Sequence, residues 1–140
     1  YSTLYGDMAG GFCMLKDIPK TMVYQLCDYC NAQAPTIVQG IIDRAPSAEL
    51  AANQTDQDTL PPYDLLDELL NLHIEQDKSI QQVIDAGYAP DTIKYIATLV
   101  QNSEHKRAQA PLGIRTTPRA FGKDRRYPIT SRYLQQVIDN

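Results

Sequence analysis

Apolar residues recur at helical spacing along most of the chain, and glycine, proline and polar clusters mark the breaks between them. From Ile18 to about Asn31, Met22, Val23, Leu26, Cys27 and Cys30 fall on one helical face, with Asp17 and Pro19 as cap and first turn and Lys20 and Thr21 at the start. Between Pro35 and Arg44, Ile37, Val38, Ile41 and Ile42 fit a short helix or a helix passing into a strand. Pro61 and Pro62 open a helix running to about Glu75, with Leu65, Leu66, Leu69, Leu70 and Ile74 inward. A short helix starts at Asp77 or Ser79, buries Ile80, Val83 and Ile84, and ends at Gly87. The next runs from Asp91 to about Arg107 on Ile93, Ile96, Leu99 and Val100. These last three make a small bundle, and Tyr133, Leu134, Val137 and Ile138 predict a final helix over Ser131 to Ile138.

The stretches without period carry other signals. Residues 1–5 read as the end of a strand and 6–15 as a loop in which Gly6, Gly10 and Gly11 allow close approach to a ligand. Residues 45–62 form a long polar connection and are expected to be a mobile loop. Pro111 to Ile129 reads as an extended segment wrapping the domain, the start of a basic extension over 111–140.

Composition changes this picture little. With 140 residues, 43% hydrophobic and 21% charged, the chain has the make-up of one soluble globular domain, and no apolar run approaches the ~20 residues of a membrane span. Charge adds more. Lys106, Arg107, Arg115, Arg119, Lys123, Arg125, Arg126 and Arg132 stand against only Asp124 in residues 106–132 of a chain whose net charge is -4. Such a block binds phosphates, docks on an acidic partner or binds nucleic acid, and the acidic overall balance favours the first two.

Three cysteines, an odd number, point to a reducing compartment, and a cytoplasmic location is expected. Cys27-Asp-Tyr-Cys30 matches a redox or half-zinc pattern, but no second such pair and no paired histidines accompany it, so packing in a core is the preferred reading. His73 likewise has no partner at ligand spacing and reads as structural or exposed. Lys20 in a first helical turn suits a phosphate, although a solvated surface lysine is the plainer alternative.

The wording of several segments is more specific. YSTLYGDMAGGF, KDIPKT, RAPSAEL, QTDQDTLPPYDLLD, SEHKRAQAPLGIR and RAFGKDRRYPIT occur in this order over nearly the whole chain. They closely resemble the synthetase domain of bacterial glutamine-dependent NAD(+) synthetases. The resemblance implies a mostly α-helical fragment of an α/β domain of the adenine nucleotide alpha hydrolase-like type, Rossmann-like and doubly wound. It implies an ATP-dependent amide ligase that converts deamido-NAD to NAD through an adenylate attacked by ammonia, the ammonia coming from glutamine hydrolysed in a separate amidase domain.

Residue by residue, the resemblance implies that Lys20 and Ser47 contact ATP. Tyr1, Ser2, Thr3 and Leu4 line the deamido-NAD pocket, Tyr1 stacking near the nicotinate ring, and His105 and Lys106 bind the same substrate. Asp7 and Arg107 lie near the site without an assigned role, and no catalytic residue or metal ligand is assigned. The family's Ser-Gly-Gly-x-Asp-Ser loop and the Asn-Lys-Ser-Glu that supplies a Mg2+ ligand are absent from the sequence. The chain opens on Tyr1 with neither an initiator Met nor a signal pattern. The expectation is therefore a C-terminal portion of one synthetase domain, inactive alone, whose partners are the missing N-terminal half, the glutaminase domain and further copies in a homo-oligomer, with no membrane or nucleic acid involved. A stand-alone helical interaction module with a basic tail is the alternative, and a nucleic-acid-binding domain a weaker one.

Overall fold

The computed structural model describes residues 10–131. Tyr1 to Leu4, Asp7, Gly6 and, but for Ser131, the helix expected over Ser131 to Ile138 lie outside the described residues. The chain divides into two compact units, residues 18–67 and, of the described residues, 10–17 with 68–131.

The first unit holds α1 (Lys20–Gln33), α2 (Gln39–Asp43), a 3-10 turn (Asp56–Asp58) and the start of α3 (Tyr63–Leu70). Pro19 is the N-cap of α1 and its side chain donates no cap. The orphan Thr21 N–H is met instead by Asp67 Oδ2 at 2.8 Å. Asp17, expected as the cap, has its carboxylate committed elsewhere, as described below. The stretch from 35 to 44 resolves as a helix without a strand, and Asn31 ties the turn ahead of it by accepting from the N–H groups of Thr36 (3.0 Å) and Ile37 (2.8 Å). In the polar connection, Asp56 N–H donates to Pro46 O at 2.9 Å, and Thr55 with Asp58 closes a capping box around the 3-10 turn.

One expectation for α1 fails. The stripe of Met22, Val23, Leu26, Cys27 and Cys30 does not enter a core: no residue of α1 is buried, Cys30 is exposed and Cys27 half-buried, both as free thiols. The physical reason is that Val23 and Cys27 face Ile41 and Ile42 across an open pocket rather than a packed neighbour.

The second unit has the core. Leu69 closes α3, which runs on through a π-helical turn (Asn71–Glu75) burying His73 and Ile74. Then follow α4 (Ile80–Asp85), α5 (Pro90–Asn102) and α6 (Glu104–Gln109). Ser79 caps α4 in a box with Gln82, and Gly87 leaves it at φ 101°, a conformation open to glycine. Val83 of α4 and Ile93, Ile96, Ala97 and Val100 of α5 fill the interior, α4 packing along α5 and against the π-helical turn. The helix expected from Asp91 to Arg107 is broken at Ser103, whose carbonyl accepts from Lys106 N–H at 3.0 Å and Arg107 N–H at 3.2 Å, so that a separate short helix begins at Glu104.

Residues 111–131 form no helix, but the extended course expected from Pro111 to Ile129 is broken by turns, one of them closed by the Lys123 and Asp124 N–H groups on Ala120 O at 3.3 and 3.1 Å. Their one regular piece is β2 (Leu112–Gly113), which pairs in parallel with β1 (Phe12–Cys13), Phe12 opposite Leu112 and Cys13 opposite Gly113. Among the described residues no helix is long and apolar enough to cross a membrane.

Candidate functional site

Lys20 and Ser47 come together. Both line one open pocket of ≈ 320 Å³ in the first unit, with Tyr24, Arg44 and Asp56 among their neighbours. Lys20 sits at the first position of α1 with Nζ 5.5 Å from the centre of the Tyr24 ring. Ser47 reaches the pocket because Pro46 beside it is held by the Asp56 N–H. Its Oγ accepts the Glu49 N–H at 3.0 Å, which occupies a lone pair and leaves the hydroxyl proton to donate. Arg44 is paired with Glu49. Asp56 is buried, its Oδ2 accepts the Tyr63 hydroxyl, and its Oδ1 has no hydrogen-bond partner. A cation, a hydroxyl donor and a helix start around one opening are what an anionic ligand requires.

His105 and Lys106 lie side by side on α6 in the second unit, both partly exposed. Their neighbours on either side, Glu104 and Arg107, are buried and paired at 2.9 Å. His105 Nδ1 is 2.9 Å from Asn102 O. Burial raises the Glu104 carboxyl, but hydrogen bonds from Arg107, Arg126 and the Tyr127 N–H outweigh it and hold it below its ordinary range.

The reading of residues 1–5, 6–15 and Tyr1 to Leu4 as a ligand wall falls mostly outside the described residues, and in its described part Phe12 and Cys13 form a strand within the expected loop. Asp17 proves to be a latch instead of a cap. Its Oδ2 accepts the N–H groups of Thr116 (2.8 Å) and Thr117 (2.9 Å) and the Thr117 hydroxyl (2.8 Å), and its Oδ1 accepts the Phe121 N–H at 3.0 Å. Beside it, Lys16 Nζ donates to Pro111 O at 2.6 Å. His73 is structural, as one of its two readings had it: buried, with Nδ1 2.9 Å from Lys78 O, and held below its ordinary pKa chiefly by burial.

The basic extension is largely occupied within the chain. Arg126 pairs with Glu104, Arg119 and Arg125 with Asp77, and Arg115 with Asp124. Sequence reasoning missed Tyr24, Arg44 and Asp56 as pocket residues and Glu104 as an anchor. Asp56 lies in a run of polar residues without period, where nothing distinguishes it from Asp58.

Mg2+ is implied by the resemblance. Among the described residues no three His, Cys, Asp or Glu side chains come together in a group able to hold a metal ion.

Both clusters set cations beside carboxylates, Lys20 and Arg44 with Glu49 and Asp56 in the one and Lys106 and Arg107 with Glu104 in the other. The chain belongs to the NAD synthase family, whose model matches residues 1–110. It is 47% identical over 135 residues to a glutamine-dependent NAD(+) synthetase of Aquifex aeolicus (96% of this chain, 24% of that one), and 49% identical over 138 residues to one of Xanthomonas campestris pv. campestris (97% and 25%). The synthetase of Rhodobacter capsulatus is 49% identical over 145 residues (97% and 26%). The chain thus spans about a quarter of the length of the curated relatives it matches. A solved structure of the glutamine-dependent NAD+ synthetase of Acinetobacter baumannii in complex with ADP is 40% identical, covering 92% of this chain and 22% of that one, with a TM-score of 0.49.

Proposed function

We propose that the chain is a segment of a longer ATP-dependent amide ligase that converts deamido-NAD to NAD. In this reading the nicotinate carboxylate oxygen attacks the α-phosphorus of ATP and pyrophosphate leaves. Ammonia then attacks the acyl carbon, AMP departs with the carboxylate oxygen, and the amide remains after loss of a proton. Activation is needed because a free carboxylate has no leaving group, and cations offset the charge that develops on pyrophosphate. Lys20 and the Ser47 hydroxyl hold ATP phosphate oxygens, while His105 and Lys106 hold deamido-NAD. The segment belongs to the helical part of a Rossmann-like, doubly wound α/β domain. Its ammonia comes from a glutaminase domain, it works in a cytoplasmic homo-oligomer, and residues 45–62 move over the ATP pocket.

The observation that carries the reading is that Lys20 and Ser47, far apart in sequence, line one pocket. The occupation of the tail arginines by internal carboxylates favours an enzyme segment over a free basic docking tail. Steady-state kinetics on the full-length protein that carries this chain tests it. Lys20→Ala and Ser47→Ala should each raise the KM for ATP about ten-fold or more, the loss expected for a charge-assisted or ligand hydrogen bond, with the KM for deamido-NAD little changed. Lys106→Ala should do the reverse. Failure of the full-length protein to form NAD from deamido-NAD, ATP and ammonia, or equal effects of both sets on both substrates, would overturn the reading.

A further inference from the structure

The His105 and Lys106 pair stands on a helix of only six residues, α6. An isolated helix of that length has no stability of its own, so the direction its side chains take is set by whatever holds its other face. That face is Glu104 and Arg107, three residues apart and therefore stacked on one side, with side chains only 4% and 9% exposed. Each carboxylate oxygen of Glu104 has its own arginine: Oε2 takes Arg107 at 2.9 Å and Oε1 takes Arg126 at 3.0 Å.

Arg107 is fixed from three further directions. It donates to the Val100 carbonyl on α5, and its guanidinium lies 5.1 Å from the centre of the Phe121 ring and 5.9 Å from that of Tyr127. Phe121, Arg126 and Tyr127 all belong to the extended segment that follows residue 110, where the match to the family model stops. Rotating α6 to turn Lys106 inward would pull Glu104 away from both guanidinium groups and leave the buried one, that of Arg107, without its anion, a costly exchange.

We propose that Arg126, acting through Glu104, is a positioning residue for the His105 and Lys106 pair, so that residues 121–127 support the deamido-NAD contact that this pair makes. The proposal rests on the reading of Lys106 as a deamido-NAD ligand. Arg126 does not touch substrate. It fixes the roll of α6, and with it the place of the Lys106 ammonium, and misplacement of a binding group by a fraction of its reach is enough to lose most of its contribution.

The test uses the full-length protein carrying this chain. Arg126 is half-exposed, 49%, so Arg126→Gln should fold, and thermal denaturation confirms it. The variant should raise the KM for deamido-NAD about five- to ten-fold, the range expected for loosening one charge-assisted contact, and leave the KM for ATP unchanged. Arg126→Lys, which keeps the charge, should restore most of the loss. In a Lys106→Ala background, Arg126→Gln should add less than about two-fold, because coupled residues are not additive. Arg119→Gln, which removes a tail cation paired with Asp77, should leave both KM values as they are.

A full additional loss in the Lys106→Ala background, or a rise in both KM values together, would overturn the clamp and leave Arg126 merely structural. If Lys106→Ala raises the KM for deamido-NAD while Arg126→Gln does not, the clamp alone falls. If Lys106→Ala has no effect on that KM, the site reading falls and the clamp with it.

Discussion

In the unit of residues 18–67 most polar side chains close short circuits: Asn31 to Ile37, Ser47 to Glu49, Thr55 to Asp58, Tyr63 to Asp56. The Thr21 N–H with Asp67 reaches farther. The other unit has short circuits too, Ser79 with Gln82 and Gln81 with Asp85 among them, but adds a set of long ones, Asp17 to Thr116 and Phe121, Lys16 to Pro111, Arg125 to His73. The first arrangement shapes loops around an opening and asks little of the rest of the chain. The second draws an extended segment with few apolar anchors of its own onto a helical core, where each contact repays the entropy of closing a long loop. An open pocket and a clasped extended segment are thus built by different means.

Removing the long closure should therefore cost most. Asp17→Ala would strip a charged acceptor from the N–H groups of Thr116, Thr117 and Phe121, which are only partly shielded from water, and with a hydrogen bond to a charged group worth about 1.5–3 kcal/mol the loss should reach about 3 kcal/mol. Urea denaturation of the full-length protein measures it. A loss below about 1 kcal/mol, the level of a surface hydrogen bond, would mean that the tail is held by other contacts and that the contrast between the units is overdrawn.

The next test separates two glycines in the same clasp. A Cβ at Gly113 would lie 2.6 Å from the carbonyl oxygen of Cys13, its strand partner, whereas one at Gly122 would meet only the far end of the Lys16 side chain, at 2.8 Å from Cε. Backbone cannot step aside and a lysine tip can. Gly113→Ala should thus cost about 2–3 kcal/mol, the upper part of the overpacking range, and Gly122→Ala about 1 kcal/mol or less, with denaturation midpoints as the readout.

How much of this the sequence makes legible divides along the same line. Val83, Ile93, Ile96 and Val100 are readable because a helical stripe and a core are the same fact seen twice, and the Ser79 cap and Gly87 exit follow from local chemistry. Asp17 is not readable: its partners lie about a hundred residues away, and only the fold brings them close. Nor is the exposure of the α1 stripe, since periodicity tells which residues share a face and leaves open whether that face meets a core or a pocket. Lys20 and Ser47 are legible only through family resemblance, as a lysine at a helix start and a serine in a polar loop are ordinary residues.

Acid should reach the second unit in two stages. His73 has a lowered pKa, so the fold favours its neutral ring. Its contribution is complete above about pH 6.5, its ordinary value, and is lost as pH falls through the folded value. Asp17 and Glu104 are also lowered, burial being outweighed by their hydrogen bonds, and their contributions hold above about pH 4 and fade below it. Melting temperature against pH should show both limbs, and His73→Gln should erase the first while leaving the second. A single limb below pH 4 in the parent would remove His73 from the account.

The smallest effect is expected where the sequence pattern promises a large one. Leu26 and Met22 stand 38% and 42% exposed on α1, which shares no extended interface with another helix among the described residues. Leu26→Ser should shift stability by no more than about 0.5 kcal/mol, the range of surface substitutions, whereas an interior leucine such as Leu69 truncated to alanine should cost about 2–5 kcal/mol. The comparison is informative because helical periodicity assigns both residues to the inner face of their helices. If Leu26→Ser in the full-length protein costs as much as Leu69→Ala, the α1 face is covered by chain outside residues 10–131, and the first unit's openness belongs to the pocket alone. If the two differ as expected, the α1 stripe stays outside any core, Val23 and Cys27 lining the open pocket, and helical periodicity becomes burial only where a second helix packs on the stripe, as α5 does on α4.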